Sequence, residues 1–179
     1  IHWLNTKKYE GKKSTSDLKK YDCIIVPGGF GETGIEGKLK VIRYAREKKV
    51  PYLGLCYGMQ LAVVEYARNV VGIKSANTAE IEPNGEHLVI DIMPEQKELI
   101  GKEKYGGTMR LGSYLAILEE GSIARKAYKK ELIEERHRHR YEFNNSYRDL
   151  LEKAGLKLTG VSPDNSLVVI VEDEGHPWF

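Results

Sequence analysis

The stretch that most constrains this chain is Gly54-Leu55-Cys56-Tyr57-Gly58, a cysteine held between two glycines at G-x-C-x-G spacing. An apolar run, Pro51–Leu55, leads into it. Met59, Ala62, Val63, Tyr66 and Val70 leave it at helical spacing, with Gly72 as a stop. The pattern predicts a strand, a sharp turn and a helix, and a turn that sharp needs neighbours without side chains. The segment before it repeats the arrangement. Cys23–Val26 is a short apolar run stopped by Pro27-Gly28-Gly29, and it predicts a strand covered on both faces, as in parallel sheets. Ile35, Leu39, Ile42 and Ala45 follow with helical period, and Arg46 can lay its stem along their apolar edge. Strand, helix, strand, helix implies right-handed crossovers and a parallel sheet, with ligands at the carboxyl ends of its strands.

The second half changes character. His87–Met93 and Tyr114–Leu118 read as strands and Ser122–Lys130 as a helix. Asn145 or Ser146 is placed to cap a short helix running to Gly155. Leu156–Val161 and Leu167–Val171 flank a turn-rich Ser-Pro-Asp-Asn and predict a hairpin. The fold class is therefore α/β: a mostly parallel central sheet flanked by helices, with an antiparallel addition. A length of 179 residues suits one domain. Lys plus Arg (28) nearly balances Asp plus Glu (26), which argues against a dedicated nucleic-acid binder. The longest apolar runs, such as Leu167–Val171, fall far short of the ~20 residues of a membrane span. Two cysteines build neither a disulfide scaffold nor a zinc–cysteine cluster, and no metal site is expected.

Cys56 is the candidate nucleophile. A helix N-terminus behind it offers free N–H groups and partial positive charge, which favour the thiolate. The Tyr57 N–H would point towards a developing oxyanion. The alternative is a structural cysteine beside tightly packed glycines, and Cys23, inside its apolar strand, is read that way. Pro27-Gly28-Gly29-Phe30-Gly31 exposes further backbone N–H groups at the neighbouring strand end, either to complete an oxyanion hole or simply to make a tight turn. In Arg136-His137-Arg138-His139-Arg140-Tyr141-Glu142, an extended backbone would put the three arginines on one face and both histidines on the other. An arginine there could clamp a substrate carboxylate, or the run could be a solvated charged strand. A cysteine nucleophile needs a base, and none of His2, His87, His137, His139 and His176 is distinguished by spacing.

Gly54–Gln60 together with Pro27–Gly31 resembles the glutaminase domain of class I, triad-type glutamine amidotransferases. Three further strings narrow the likeness to the CTP synthase family: Gly106-Gly107-Thr108-Met109-Arg110-Leu111-Gly112, Glu135–Glu142 and Ala76-Asn77-Thr78-Ala79-Glu80. Pro51–Gly54 and the closing His176-Pro177-Trp178-Phe179 agree, so the resemblance covers nearly the whole chain. It implies a flavodoxin-like sheet and a reaction in which L-glutamine is hydrolysed through a cysteine thioester. The ammonia then passes to a synthetase domain of the same polypeptide. That domain uses ATP and Mg2+ to aminate UTP to CTP, with GTP as an allosteric activator. A homotetramer is implied, with no cofactor in the glutaminase domain itself; the free reactive thiol and the absence of a signal-peptide layout point to a cytoplasmic protein. By position, Cys56 matches the nucleophile and Gly29 the oxyanion-hole glycine, with the Tyr57 N–H as second donor. Tyr57, Gly58, Met59 and Gln60 match the stretch lining glutamine. Glu80 matches the acidic residue that meets its ammonium, and Arg140 the basic residue near its carboxylate.

The departures are specific. The family's base and orienting carboxylate lie in an F-H-P-E string expected a few residues after Phe179, whereas His176-Pro177 is followed by Trp. His137 and His139 are not the family's base. The chain is therefore expected to be cut at both ends, with Ile1-His2-Trp3 as an internal strand, the synthetase domain absent, and little turnover on its own. Thr33 stands where the family often has Arg in a segment that couples GTP to the glutaminase, and Tyr57 where Leu is usual. Two other readings share the cysteine turn: a γ-glutamyl hydrolase or DJ-1/PfpI-like enzyme, and a non-catalytic regulatory module.

Overall fold

A computed structural model of the chain describes residues 1–11, 13–92 and 110–179. The run before Pro27 forms β1 (Ile24–Val26), and α1 (Ile35–Lys48) returns the chain to β2 (Tyr52–Gly54), which pairs parallel with β1. α2 (Tyr57–Tyr66) follows at once and runs on into a single π-helical segment, Ala67–Val71. Gly72, at φ +93°, ends it in the left-handed conformation that glycine adopts without strain. α2 is buried on nearly every side, with Leu61, Val63 and Val64 fully enclosed. It is the hub of the main core, which also takes in Leu39 and Ile42 of α1, Val26 of β1, and Leu151 and Leu156 from the C-terminal part.

β3 (Ala76–Thr78) pairs parallel with β4 (His87–Ile92), and β7 (Tyr141–Phe143) closes that sheet antiparallel. β5 (Arg110–Leu118) and β6 (Leu132–His139) form a long antiparallel ribbon joined through β5 to the hairpin of β8 (Leu156–Val161) and β9 (Val168–Asp173). α3 (Ile123–Tyr128) starts at Ser122, whose hydroxyl accepts from the Arg125 N–H, and the Glu172 carboxylate takes the N–H groups of Ile123 and Ala124. The α/β class and the antiparallel addition are as the sequence predicts, and the antiparallel part is larger than it suggests.

Several local expectations are corrected. Ile1–Trp3 is not a strand; Ile1 and Trp3 are exposed and the helical structure begins at Thr6. Cys23 precedes β1 and is exposed. β1 and β2 are covered on one face only, since Ile25 is 57% and Leu53 42% exposed. The cap of the late helical segment is Asn144, whose side chain accepts from the Ser146 N–H and starts a 3-10 turn, Asn145–Tyr147; α4 (Arg148–Lys153) follows it. Met93 and Gly106–Met109 lie outside the described residues.

Arg46 does more than cover an apolar edge. Its Nε and Nη2 each donate to the Glu65 carboxylate at 2.8 Å, and Glu65 is 0% exposed on α2. A fork-to-fork pair of this kind survives burial only when both partners stay. Arg46→Ala is expected to lower the unfolding free energy by ~3–5 kcal/mol, because it leaves the buried Glu65 carboxylate without its charged partner. Arg43→Ala, which breaks the exposed pair with Glu47, should cost less than ~1 kcal/mol. Urea denaturation of the two variants checks this, and equal small losses would refute it.

Candidate functional site

The parallel strands deliver their carboxyl ends to one place. Gly29 follows β1, Cys56 follows β2 and Glu80 follows β3, and all three line a single cavity of about 200 Å3. Cys56 holds the predicted strained backbone, with φ +53° and ψ −106°, a combination that a residue with a side chain rarely adopts. The glycines that make room for it are sterically required. A Cβ on Gly58 would stand 2.0 Å from the Val26 carbonyl oxygen, and one on Gly54 2.7 Å from the Gly58 carbonyl carbon. A Cβ on Gly28 would lie 3.5 Å from that of Cys56, so this glycine forms the near wall beside the sulfur.

Gln60, from the first turn of α2, and Arg140, from the bend between β6 and β7, complete the set of predicted residues around the cavity. Phe30, His139 and Tyr141 line it as well. The sequence reading missed Tyr141 and Phe30: one is hidden in a charged run, the other between glycines. The Glu80 carboxylate accepts the Gly31 N–H at 2.8 Å. The Gln60 side-chain amide donates to the Tyr141 carbonyl at 2.9 Å, so that amide nitrogen holds β7 in place. Tyr57, Gly58 and Met59 do not line this cavity. The Tyr57 ring is buried with its hydroxyl on the Gly31 carbonyl, and Gly58 packs on β1. Met59 faces a second, larger cleft.

That cleft has a volume of about 510 Å3 and is lined mainly by apolar groups. It lies between Leu53 and Leu55 on one side and Ala127, Ile133 and Ile170 on the other. Cys56 and His139 border both spaces. Trp178 and Phe179 also line the cleft, and the Tyr52 N–H donates to the Trp178 carbonyl at 2.8 Å.

The state of the thiol corrects the sequence expectation. Burial pushes the Cys56 pKa up, the Tyr57 N–H hydrogen bond opposes this, and the carboxylates of Glu80 and Glu142 add to the rise. The helix N-terminus is outweighed. Among the described residues no hydrogen bond joins Cys56 to an imidazole. His139 is close in the fold, but its nitrogens are engaged elsewhere. Nδ1 lies 3.1 Å from both the Glu142 carboxylate and the Tyr141 carbonyl, and Nε2 2.9 Å from His137 Nδ1. As predicted, both histidines share one face of β6, while Arg136 and Arg138 are exposed on the other. His176 is buried with both nitrogens in use: Nε2 donates to the Ala45 carbonyl, and Nδ1 accepts from the Trp178 N–H, each at 3.1 Å. His87 bonds the Tyr147 hydroxyl, and His2 packs against Tyr21. Among the described residues no cluster of three or more His, Cys, Asp or Glu could hold a metal, and no helix is long and apolar enough to cross a membrane.

Comparison with known proteins agrees with this geometry. The family model for "Glutamine amidotransferase class-I" matches residues 1–179. A CTP synthase from Carboxydothermus hydrogenoformans is 56% identical over the whole chain, and one from Geobacillus kaustophilus is 51% identical. The chain spans 33% of the length of each of these relatives. The glutaminase domain of Trypanosoma brucei CTPS with bound acivicin superposes with a TM-score of 0.90 at 38% identity, covering 100% of this chain and 69% of that one. With the strained cysteine turn and the full-length match together, the chain belongs to the class I glutamine amidotransferase family.

Proposed function

We propose that this chain is the glutaminase domain of a CTP synthase, with Cys56 as nucleophile. The observation that carries the proposal is the cavity beside the sulfur, where an anionic Glu80 and a cationic Arg140 stand on separate elements around one small space. At about 200 Å3 it is smaller than the ~300–1,000 Å3 typical of sites for larger ligands. Opposite charges at such a scale suit a free α-amino acid. Glu80 takes the ammonium and Arg140 the carboxylate, which presents the side-chain amide to the thiol.

In the proposed reaction the Cys56 sulfur attacks the amide carbon of glutamine. The charge that develops on oxygen is met by backbone N–H groups at Gly29 and Tyr57. The C–N bond breaks, ammonia leaves with the proton released from the thiol, and water hydrolyses the thioester to glutamate. Gly58 and Met59 act through backbone placement and packing, and Gln60 by holding the Tyr141 carbonyl at the cavity wall. In the whole protein the ammonia would go to a synthetase domain that aminates UTP with ATP and Mg2+, under activation by GTP, in a cytoplasmic homotetramer. Nucleic acid and membrane play no part in this reading.

The base and its orienting carboxylate are proposed to come from sequence following Phe179. The Tyr52–Trp178 hydrogen bond sets the chain along the outer edge of β2, and the 510 Å3 cleft leads from there to Cys56. A non-catalytic binding module is the second reading. The raised thiol favours it, because a cysteine kept protonated is a poor nucleophile.

Three measurements separate these readings. Ammonia release from glutamine should be ~10²–10⁴-fold slower for residues 1–179 than for a chain continued past the expected base; equal rates would sink the proposed origin of the base. The pH profile of Cys56 alkylation should have its midpoint above the ordinary ~8.5 in residues 1–179, since a raised pKa delays the thiolate to higher pH. It should fall in the longer chain, and no fall there would favour the binding module. In the whole protein, Glu80→Gln is expected to raise KM for glutamine by ~10-fold or more with a smaller change in kcat, as loss of a charged hydrogen bond implies. An unchanged KM would remove Glu80 from the substrate site.

A further inference from the structure

Tyr57 is buried next to Cys56, and its side chain meets the glycine loop after β1 and Lys38 of α1. The ring lies under Gly29, where an added Cβ would meet Tyr57 Cδ1 at 3.6 Å. The hydroxyl donates to the Gly31 carbonyl at 3.0 Å. Lys38 Nζ stands 5.4 Å from the ring centroid and donates to the Thr33 carbonyl at 3.1 Å. From the other side, the Gly31 N–H donates to Glu80 Oε1 at 2.8 Å. Gly31 is thus gripped at both its polar groups. Its φ of +71° is one that glycine tolerates, so conformation alone does little to hold it there.

The two grips differ in one respect. Glu80 faces the cavity and is the group proposed to receive the substrate's ammonium, whereas the Tyr57 hydroxyl is enclosed and has no competing partner among the described residues. When an ammonium arrives, it competes with the Gly31 N–H for the carboxylate. The Tyr57 hydroxyl, enclosed on the Gly31 carbonyl, lies outside that competition. We propose that Tyr57 is a positioning residue: its hydroxyl tethers the Gly28–Gly31 wall of the cavity while Glu80 turns from the Gly31 N–H to the substrate. The proposal rests on the assignment of Glu80 made above. It makes the Tyr57 hydroxyl important for capture of an amino acid, while the Tyr57 N–H, which Tyr57→Phe keeps, is the group that bears on the thiol. Tyr57→Phe removes the tether and keeps the ring beneath Gly29.

The test uses the whole protein and three readouts on Tyr57→Phe. Amide hydrogen exchange across residues 28–34 should speed up about fivefold, the size of effect that loss of one neutral hydrogen bond gives. Labelling of Cys56 by a glutamine-mimicking diazoketone, which needs the amino-acid site, should slow by a similar ~5-fold. Alkylation by iodoacetamide, which needs only an accessible thiol, should stay within ~2-fold. Unaltered exchange, or an equal loss of both labelling rates, would overturn the tether. A measurement without substitution guards against a variant that folds poorly: diazoketone labelling of the unsubstituted protein should speed exchange at the Gly31 amide as Glu80 leaves it, and no change there counts against the proposal. A protein that takes no diazoketone label at all overturns the glutaminase reading itself, whereas normal labelling with unaltered exchange in Tyr57→Phe overturns the tether alone.

Discussion

The contact between Gly58 and the Val26 carbonyl fixes the rest of the molecule. With 2.0 Å available where a Cβ would stand, only glycine lets the first turn of α2 seat against the end of β1. That seating has two consequences. It places the residue before the helix, Cys56, in its positive-φ conformation at the head of α2. It also drives α2 into the centre of the fold, where nearly all its residues are buried. A helix enclosed to this degree cannot send a polar residue to solvent, which is why Glu65 needs the two-point bond from Arg46. The site and the core follow from the same close approach.

The two kinds of sheet divide the work. The parallel ends supply the sulfur, the glycine wall and one carboxylate. The antiparallel part supplies His139 from the end of β6, which makes eight registered pairs with β5, Arg140 from the bend after it, and Tyr141 from β7. The lining of the cavity is thus assembled from elements distant in sequence, whereas Gly29 and Cys56 come from two adjacent βα turns. Such a division lets binding groups change without disturbing the strained turn.

Legibility in the sequence follows the same line. G-x-C-x-G, Pro27–Gly31 and the 3.6-residue period of α1 and α2 are local signals, and the structure repeats them nearly residue for residue. β3 was invisible because Ala76-Asn77-Thr78 carries no apolar alternation; it is buried through hydrogen bonds, with the Asn77 side chain held by Glu82 and by the Thr78 N–H. β6 was legible only as a charged run, since the ladder that makes it a strand lies in β5. Ile25 and Leu53 look like two-sided core residues in sequence, yet the layer beyond them is open in this chain. The protonation of Cys56 was unreadable for a different reason. A helix N-terminus can be predicted locally, but Glu142, which helps to outweigh it, arrives on β7, far along the chain.

The histidines show how far a motif can carry a role. His176 sits in a His-Pro pair beside the chain's last strand, and a search for a base would stop there. Its two nitrogens are spent on Ala45 and Trp178, so it ties the loop after β9 to α1 and to the edge of β2. His139 is nearer the sulfur and has a carboxylate partner, the outline of a catalytic pair. Its second nitrogen, however, is turned to His137. A base needs a lone pair aimed at the proton it removes, and hydrogen-bond accounting alone withholds that from both residues. What the described residues hold is therefore a small cavity beside Cys56, with no imidazole hydrogen-bonded to the thiol. Burial pushes the Cys56 pKa up, the Tyr57 N–H opposes this, and the carboxylates of Glu80 and Glu142 add to the rise.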